Sequence, residues 1–192
     1  MVVALGSPSI QSAPTGIGSL ADNGCTCHGG YSNTTQPIIL GLPEKFESNI
    51  TYDLTLSVEA YSGQHSESAQ GGFRLLISNG SVEIQNQSRV QFLDGGWTHT
   101  ELGNQYRSWN LTWTAPSDNT TTVDFVLHGN AVNGNGNSEG DMWNSFGTVL
   151  PGAQHEGPVE QLNLTSELDD TQYGILYAGL IALLLFLYFA IK

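Results

Sequence analysis

The sequence predicts an all-β domain, an antiparallel β-sandwich of about 7–8 strands, followed by one C-terminal transmembrane helix. Between residue 37 and about residue 150, short segments recur in which apolar and polar side chains alternate. Gly, Asn, Asp and Pro separate these segments, and none has the periodicity of an amphipathic helix. The last stretch, 173–192, is apolar on every side of a helix. A barrel is the alternative arrangement of the same strands.

The clearest strand lies at 51–60, where apolar residues such as Leu54 and Leu56 alternate with polar ones. This period of two predicts a strand with one buried face and one hydrated face. Trp109 and Trp113 share the apolar face of a second such segment, so we expect both in the core. The other candidate strands are residues 37–42, 72–78, 81–84, 89–93, 107–116 and 121–129.

The predicted membrane span begins with Ile175 and ends with Ile191, and Tyr173, Tyr177 and Lys192 flank it. This length matches the hydrocarbon thickness of a bilayer, and a helix satisfies its own backbone hydrogen bonds there. A buried core helix is the alternative, which the uniformly apolar surface disfavours. The sequence therefore predicts a single-pass protein of the cell membrane.

Charge predicts which side of the membrane the domain faces. Four of the five basic residues precede the span together with all 18 acidic residues, and Lys192 is the basic residue that follows it. By the positive-inside rule, the N-terminal domain is expected outside the cytoplasm. Seven Asn-x-Ser/Thr sequons fit an exported, glycosylated surface. Residues 1–12 lack the basic region of a secretory signal, so we expect the start of the sequence to be truncated or misassigned. The sequon asparagines are Asn33, Asn49, Asn79, Asn86, Asn110, Asn119 and Asn163.

Composition divides the chain into five regions. An extension at 1–20, interpreted as the remnant of a signal region, precedes a Cys–His segment at 21–36. The β-sandwich at 37–150 is followed by an acidic stalk at 151–172, which is rich in Pro, Gly and acids and has no core pattern. The transmembrane anchor occupies 173–192.

The net charge of −13 excludes one class of partner and the motifs favour no enzyme class. A domain this acidic repels nucleic acid, so no nucleic-acid partner is expected. The sequence contains no Gly-x-Ser-x-Gly elbow, no His-Glu-x-x-His and no phosphate-binding loop. A hydrolase whose catalytic carboxylates leave no local motif is the alternative, and we expect a non-enzymatic protein.

The residues with most chemical potential are Cys25, Cys27 and His28, which lie among glycines. Thioether bonds from the cysteines with His28 as iron ligand would attach haem c. Two thiolates and an imidazole would instead form part of a zinc or copper site. A strained disulfide between the cysteines is the third alternative. The usual haem signature has two residues between its cysteines, whereas this chain has only Thr26, which disfavours attachment through both sulfurs.

The order of several motifs resembles the Reeler-like β-sandwich module of bacterial and archaeal surface proteins, which is paired with variable C-terminal anchors. The motifs are Cys-His-Gly-Gly at 27–30, GGFRLLIS at 71–78, THT at 98–100, WTAP at 113–116 and GNAVNGNGNSEGD at 129–141. The resemblance covers residues 21–146 and implies an exported sandwich with a C-terminal anchor. In such modules the Cys–His segment usually has c-type haem spacing, so the resemblance also implies a haem. It implies no biochemical activity.

A haem held by His28 needs a sixth iron ligand, for which His99 is the first choice because it lies in the THT segment. His65, His128 and Met142 are alternatives, and a solvated histidine on a strand is the simpler interpretation of each histidine. A second cluster places oxygen side chains at alternate positions, as calcium loops do. Asn-Gly repeats also form irregular turns, which is the favoured interpretation of this cluster. Its residues are Asn133, Asn135, Asn137, Glu139 and Asp141.

Two functions from different classes follow. In the first, a membrane-anchored surface module carries one haem and exchanges electrons with a redox partner. In the second, a surface binding or adhesion module presents its loops to glycans or proteins, and the Cys-x-Cys-His segment is structural or binds another metal.

Overall fold

The structure is a computed structural model that describes residues 13–25, 29–60, 69–135, 139–164 and 170–191. It contains ten strands, two short 3-10 helices (Ser19–Ala21 and Gly103–Gln105) and one α-helix, α1 (Asp170–Ile191). The strands are β1 (Gly30–Tyr31), β2 (Thr35–Leu40), β3 (Thr51–Ala60), β4 (Gly71–Ile77), β5 (Ser81–Ile84), β6 (Val90–Leu93), β7 (Gly96–His99), β8 (Ser108–Thr114), β9 (Thr122–Ala131) and β10 (Met142–Pro151).

The strands form two sheets, and the predicted all-β sandwich is confirmed. The larger sheet has the order β1-β10-β9-β4-β7-β6, and the smaller has the order β2-β3-β8-β5. Neighbouring strands are antiparallel except for β1, which runs parallel to β10. The core lies between the sheets and is filled by the alternate apolar residues of β3, β8 and β9.

The two predicted core tryptophans are buried, Trp113 completely. The Trp113 ring contacts Phe46 and Phe125 edge-on, with ring centroids 5.8 and 5.0 Å apart. Its indole N–H donates to the backbone carbonyl of Asn79 at 3.0 Å, so the large apolar ring is buried without an unsatisfied donor.

Three of the ten strands, β1, β7 and β10, lie outside the segments that alternation predicts. In β10, which lies between β1 and β9, nearly every residue is half-buried. Such a strand has no wet face and therefore no clear period of two. β1 has two residues, too few for a pattern, and β7 has four.

The outer face of the larger sheet is covered by residues 13–25. Ala21 is fully buried, and the residues Gly71–Leu75 of β4 are buried on both faces of the strand. The backbone N–H of Ile17 donates to Thr98 Oγ1 at 3.2 Å. The region after residue 12 is thus a packed part of the domain.

The chain beyond β10 also contacts the sandwich before the membrane helix begins. The N–H groups of Gly152 and Ala153 donate to the carbonyls of Thr121 and Phe46, both at 2.9 Å. Further along, the side chain of Leu164 packs directly on Gly147, since a Cβ on that glycine would lie 2.7 Å from Leu164 Cδ1.

The helix α1 is exposed along its length, and its residues Tyr173–Ala190 are long and apolar enough to cross a membrane. This length and composition are the basis for assigning a membrane anchor. Together, the two-sheet domain and this exposed apolar helix fit a membrane-anchored module.

Candidate functional site

The structure describes the Cys–His segment on both sides of residues 26–28, as far as Cys25 and again from Gly29. Cys25 is 8% exposed, whereas Gly29 and Gly30 are exposed. Thr26, Cys27 and His28 lie outside the described residues, so the geometry that follows concerns the two ends of the segment.

A buried ion pair fixes the chain before residues 26–28. Arg74 of β4 is 0% exposed and donates from Nε to Asp22 Oδ1 at 2.8 Å, where Asp22 is 35% exposed. The remaining guanidinium nitrogens donate to the carbonyls of Leu93 at 2.5 Å and Asp94 at 2.8 Å. Since the charge is paired and its nitrogens are hydrogen-bonded, the buried Arg74 ties Asp22 to the sheet.

His128 of β9 provides a second attachment for the same residue. Its Nε2–H donates to the Asp22 carbonyl at 3.0 Å, and the Ser145 hydroxyl donates to its Nδ1 at 2.6 Å. Burial lowers the pKa of His128, although the hydrogen bond and the charge of Asp22 oppose this shift. The neutral ring therefore uses both nitrogens to hold the N-terminal segment, and ligation of a metal would break one of these bonds.

Two close approaches fix the backbone on either side of residues 26–28. A Cβ on Gly24 would lie 2.6 Å from the ring of Trp143, so the indole packs directly on the glycine. Gly29 has φ of +60° and a Cβ there would collide with the carbonyl of Asp141. Gly30 N–H then donates to that carbonyl at 3.3 Å, which begins the pairing of β1 with β10.

The structure brings the predicted residues Cys25 and His99 to one small cavity. Phe73 N–H donates to His99 Nδ1 at 3.2 Å, so the proton of the neutral ring lies on Nε2, which donates to the Ala13 carbonyl at 3.3 Å. An iron-ligating histidine normally donates its second ring N–H to a protein acceptor. Ligation through Nε2 would therefore require both of these hydrogen bonds to change, whereas ligation through Nδ1 would displace only the Phe73 N–H.

Of the other sixth-ligand candidates, Met142 lies in register with Gly30 of β1, close to the segment. Met142 begins β10, and its sulfur accepts a hydrogen bond from Thr34 Oγ1 at 3.5 Å. His65 lies outside the described residues, as do Cys27 and His28.

In the Asn-rich cluster, the side-chain oxygens of Asn133 and Asp141 accept backbone N–H groups. Asp141 Oδ1 accepts from Asn133 N–H at 3.0 Å, and Asn133 Oδ1 accepts from Asn135 N–H at 3.0 Å. The carboxamides of Asn133 and Asn135 both donate to the carbonyl of Glu139 at 2.8 Å. A calcium ion would compete with these bonds, and Asn137 lies outside the described residues.

Within 13–25, 29–60, 69–135, 139–164 and 170–191, no group of three or more His, Cys, Asp or Glu side chains is placed to hold a metal ion. A zinc or copper site would therefore need at least one ligand outside the described residues, such as Cys27 or His28.

Sequence reasoning did not identify Asp22, Arg74, Gly72 or Asn130 as parts of this end of the sandwich. The alternation in this strand places Arg74 on the face opposite the core, which predicts a solvated side chain. Its partner lies 52 positions earlier in the chain, and only the docking of residues 13–25 brings the two together. A lone arginine between apolar residues was the available signal.

The fold and the helix define a membrane-anchored β-sandwich protein, and comparisons with solved structures return β domains. The Reelin-N domain of F-spondin has 20% identity and a TM-score of 0.44, over 65% of this chain and 88% of that one. The human F-spondin reeler domain (fragment 1) has 19% identity and a TM-score of 0.42, over 65% and 91%. A conjugative transposon lipoprotein from Bacteroides eggerthii has 15% identity and a TM-score of 0.38, over 60% and 97%.

No protein-family model matches the chain, and no curated protein matches it. The F-spondin domains bear the name of the family that the sequence motifs resemble. The two-sheet assignment rests on the strand pairing given above.

Proposed function

We propose that this chain is a non-enzymatic module tethered outside the cytoplasm, and that its Cys–His segment carries one covalently attached haem for electron transfer. The observation that carries the proposal is the fixation of both ends of the segment, at Cys25 in the packed interior and at Gly29 and Gly30 against Asp141. A short segment fixed at both ends gives a covalently attached group a defined position on the domain.

Cys27 and His28 fit a haem, whereas Cys25 fits less well. Cys25 is buried and lines the cavity, which disfavours a thioether bond from its sulfur. The exposed Gly29 and Gly30 show that the chain is at the surface immediately after His28. We therefore assign a single thioether to Cys27 and the axial imidazole to His28.

When bound, the haem iron would supply one-electron transfer between its ferric and ferrous states. Tyr31 and Trp143 form an edge-on aromatic pair with ring centroids 5.4 Å apart next to the segment, and Tyr31 is 62% exposed. This aromatic pair would offer an apolar surface beside the residues that would hold the haem. Ligation by His99 is not part of the proposal, because its nitrogens hold Phe73 and Ala13.

The orientation of the tether supports exchange with a partner at the outer surface. The acidic domain and Lys192 beyond the span favour the outside location of the N-terminal domain. Six of the seven sequon asparagines are exposed and so accessible to glycosylation, whereas Asn119 is buried and donates to Glu47 Oε2 at 3.4 Å. A single haem suits transfer over a short distance, so the function requires a redox partner that contacts the Cys–His end.

The test is the absorption spectrum of the full chain, purified in detergent after co-expression with a haem-attachment system. A Soret band that survives acid–acetone extraction is expected, and Cys27→Ala should abolish the extraction-resistant band. Cys25→Ala is the matched control and should keep the band per molecule of folded protein. A colourless wild-type protein, or a band that depends on Cys25 and not on Cys27, contradicts the proposal.

The second candidate is a surface binding module in which Cys25, Cys27 and His28 hold zinc or copper or serve the fold alone. The burial of Cys25 favours this candidate, since a cysteine inside the packing is typical of a structural role. The exposed Tyr31 would then contact a glycan or protein ligand, because aromatic side chains are enriched at binding surfaces. One zinc or copper ion per colourless chain, lost in His28→Ala, is the result that this candidate predicts.

A further inference from the structure

A cavity of about 40 Å³ lies at the Cys–His end of the larger sheet, between the N-terminal segment and strands β4, β7 and β9. Ala13, Ile17 and Cys25 form the wall contributed by the N-terminal segment. A buried water needs roughly 10–15 Å³ of such volume, so the cavity accommodates about three waters or a molecule of similar size. The remaining lining residues are Gly71, Gly72, Phe73, His99, Asn104, Asn130 and Val132.

The side chain of Asn130 presents an unsatisfied acceptor at this cavity. Asn130 is 8% exposed, and its Oδ1 is buried with no hydrogen-bond partner among the residues that the structure describes. Buried carbonyl oxygens are nearly always paired with a donor, so an orphaned one at a cavity indicates a donor-bearing occupant.

The remaining lining residues define the charge of that occupant. Among the residues that the structure describes, the lining includes the carboxamides of Asn104 and Asn130 but no Asp, Glu, Lys or Arg side chain. The ring nitrogens of His99 are used by Phe73 and Ala13. Since an ion buried without a counter-charge is strongly disfavoured, the cavity fits a neutral molecule.

Two glycines of β4 allow lining residues of the cavity to pack closely on the strand. A Cβ on Gly72 would collide with the His99 ring, and one on Gly71 would lie 2.5 Å from the backbone carbonyl oxygen of Asn130. Side chains at these positions would therefore displace His99 and the backbone at Asn130, which line the cavity.

We propose that this cavity is a binding site for a small primary amide. An asparagine carboxamide offers a carbonyl acceptor and an N–H donor side by side, and a second primary amide matches both in a two-bond pair. Formamide and acetamide have the size that the cavity admits. The proposal does not depend on haem, although Cys25 joins the cavity to the Cys–His segment, so occupancy stabilises the base of that segment.

The test is a formamide titration of the full ¹⁵N-labelled chain in detergent micelles, observed through the side-chain amide resonances of asparagine. A saturable shift of the Asn130 resonance is expected, and N,N-dimethylformamide, which has no N–H donor, should give no saturable shift. Followed in the variants through the side-chain amide of Asn104, which also lines the cavity, formamide binding should weaken by about tenfold or more in Asn130→Leu and should not change in Asn110→Leu on the outer face of the smaller sheet.

Two results overturn the proposal. The first is the absence of a saturable shift at all formamide concentrations that leave the fold intact, with the cavity filled by water alone. The second is equal binding of formamide and N,N-dimethylformamide, which would show that the Asn130 acceptor plays no part. If Asn130→Leu does not fold, the comparison of the two probes on the unaltered chain still decides the question.

Discussion

Removing the carboxylate of Asp22 tests the attachment of the N-terminal segment most sharply. In Asp22→Ala the Arg74 guanidinium, which is 0% exposed, loses the only acidic side chain that contacts it in the described chain. Removing one partner of a fully buried ion pair costs about 3–5 kcal/mol, and losing one charge-assisted hydrogen bond costs about 1.5–3 kcal/mol. Asp22 is 35% exposed and two carbonyls remain bonded to Arg74, so water and these acceptors offset part of the loss.

We therefore expect Asp22→Ala to reduce the free energy of unfolding by about 2–3 kcal/mol, which lowers Tm by roughly 5–10 °C. Thermal and urea unfolding of the full chain in detergent, followed by tryptophan fluorescence, measures both quantities. Asp53→Ala is the matched control, because Asp53 is an exposed residue on the outer face of the smaller sheet. A loss equal to that of the control would refute the conclusion that the Arg74–Asp22 pair attaches this segment.

The remaining predictions concern pH, packing and the membrane. Burial holds the pKa of His128 in the folded state below its usual 6.5. Because the unfolded state then binds more protons, the free energy of unfolding should decrease as pH falls below 6.5. Urea unfolding measured across this pH range should show a smaller decrease for His128→Gln. Gly72→Ala should destabilise the fold by about 1–3 kcal/mol because its Cβ meets His99, whereas Gly30→Ala, with open space around it, should change stability little in the same assay. Leu183→Arg places a charge near the middle of the span at a cost of about 2.5–3.5 kcal/mol, so fractionation should show less of the chain in the membrane.

The sandwich was predictable because the alternation in β3, β8 and β9 is a local pattern. Each of these strands places apolar residues such as Leu54, Leu111 and Phe125 on one face, and in each case that face is the one buried between the sheets. The membrane helix was predictable for the same reason, since length and apolar composition are properties of one continuous segment.

The covering of the larger sheet by residues 13–25 was not predictable in this way. It depends on pairs far apart in sequence, such as Arg74 with Asp22 and His128 with the Asp22 carbonyl, and a single sequence contains no signal for such pairs. β10 escaped prediction because its residues are half-buried on both faces.

The candidate site was predicted in part. The sequence pointed to Cys25 and His99 separately, and the structure places both at one cavity. The two His99 nitrogens are bonded to Phe73 of β4 and to Ala13 of the N-terminal segment, and the ring packs on Gly72. The sequence motif does not reveal these contacts.

The most direct test of the central claim is the intact mass of the full chain, purified after co-expression with a haem-attachment system, followed by peptide mapping. The account predicts a mass increase of one haem per chain, located on the peptide that contains Cys27 and absent from Cys27→Ala. An unmodified mass for the whole population, or a haem attached to Cys25, would contradict it.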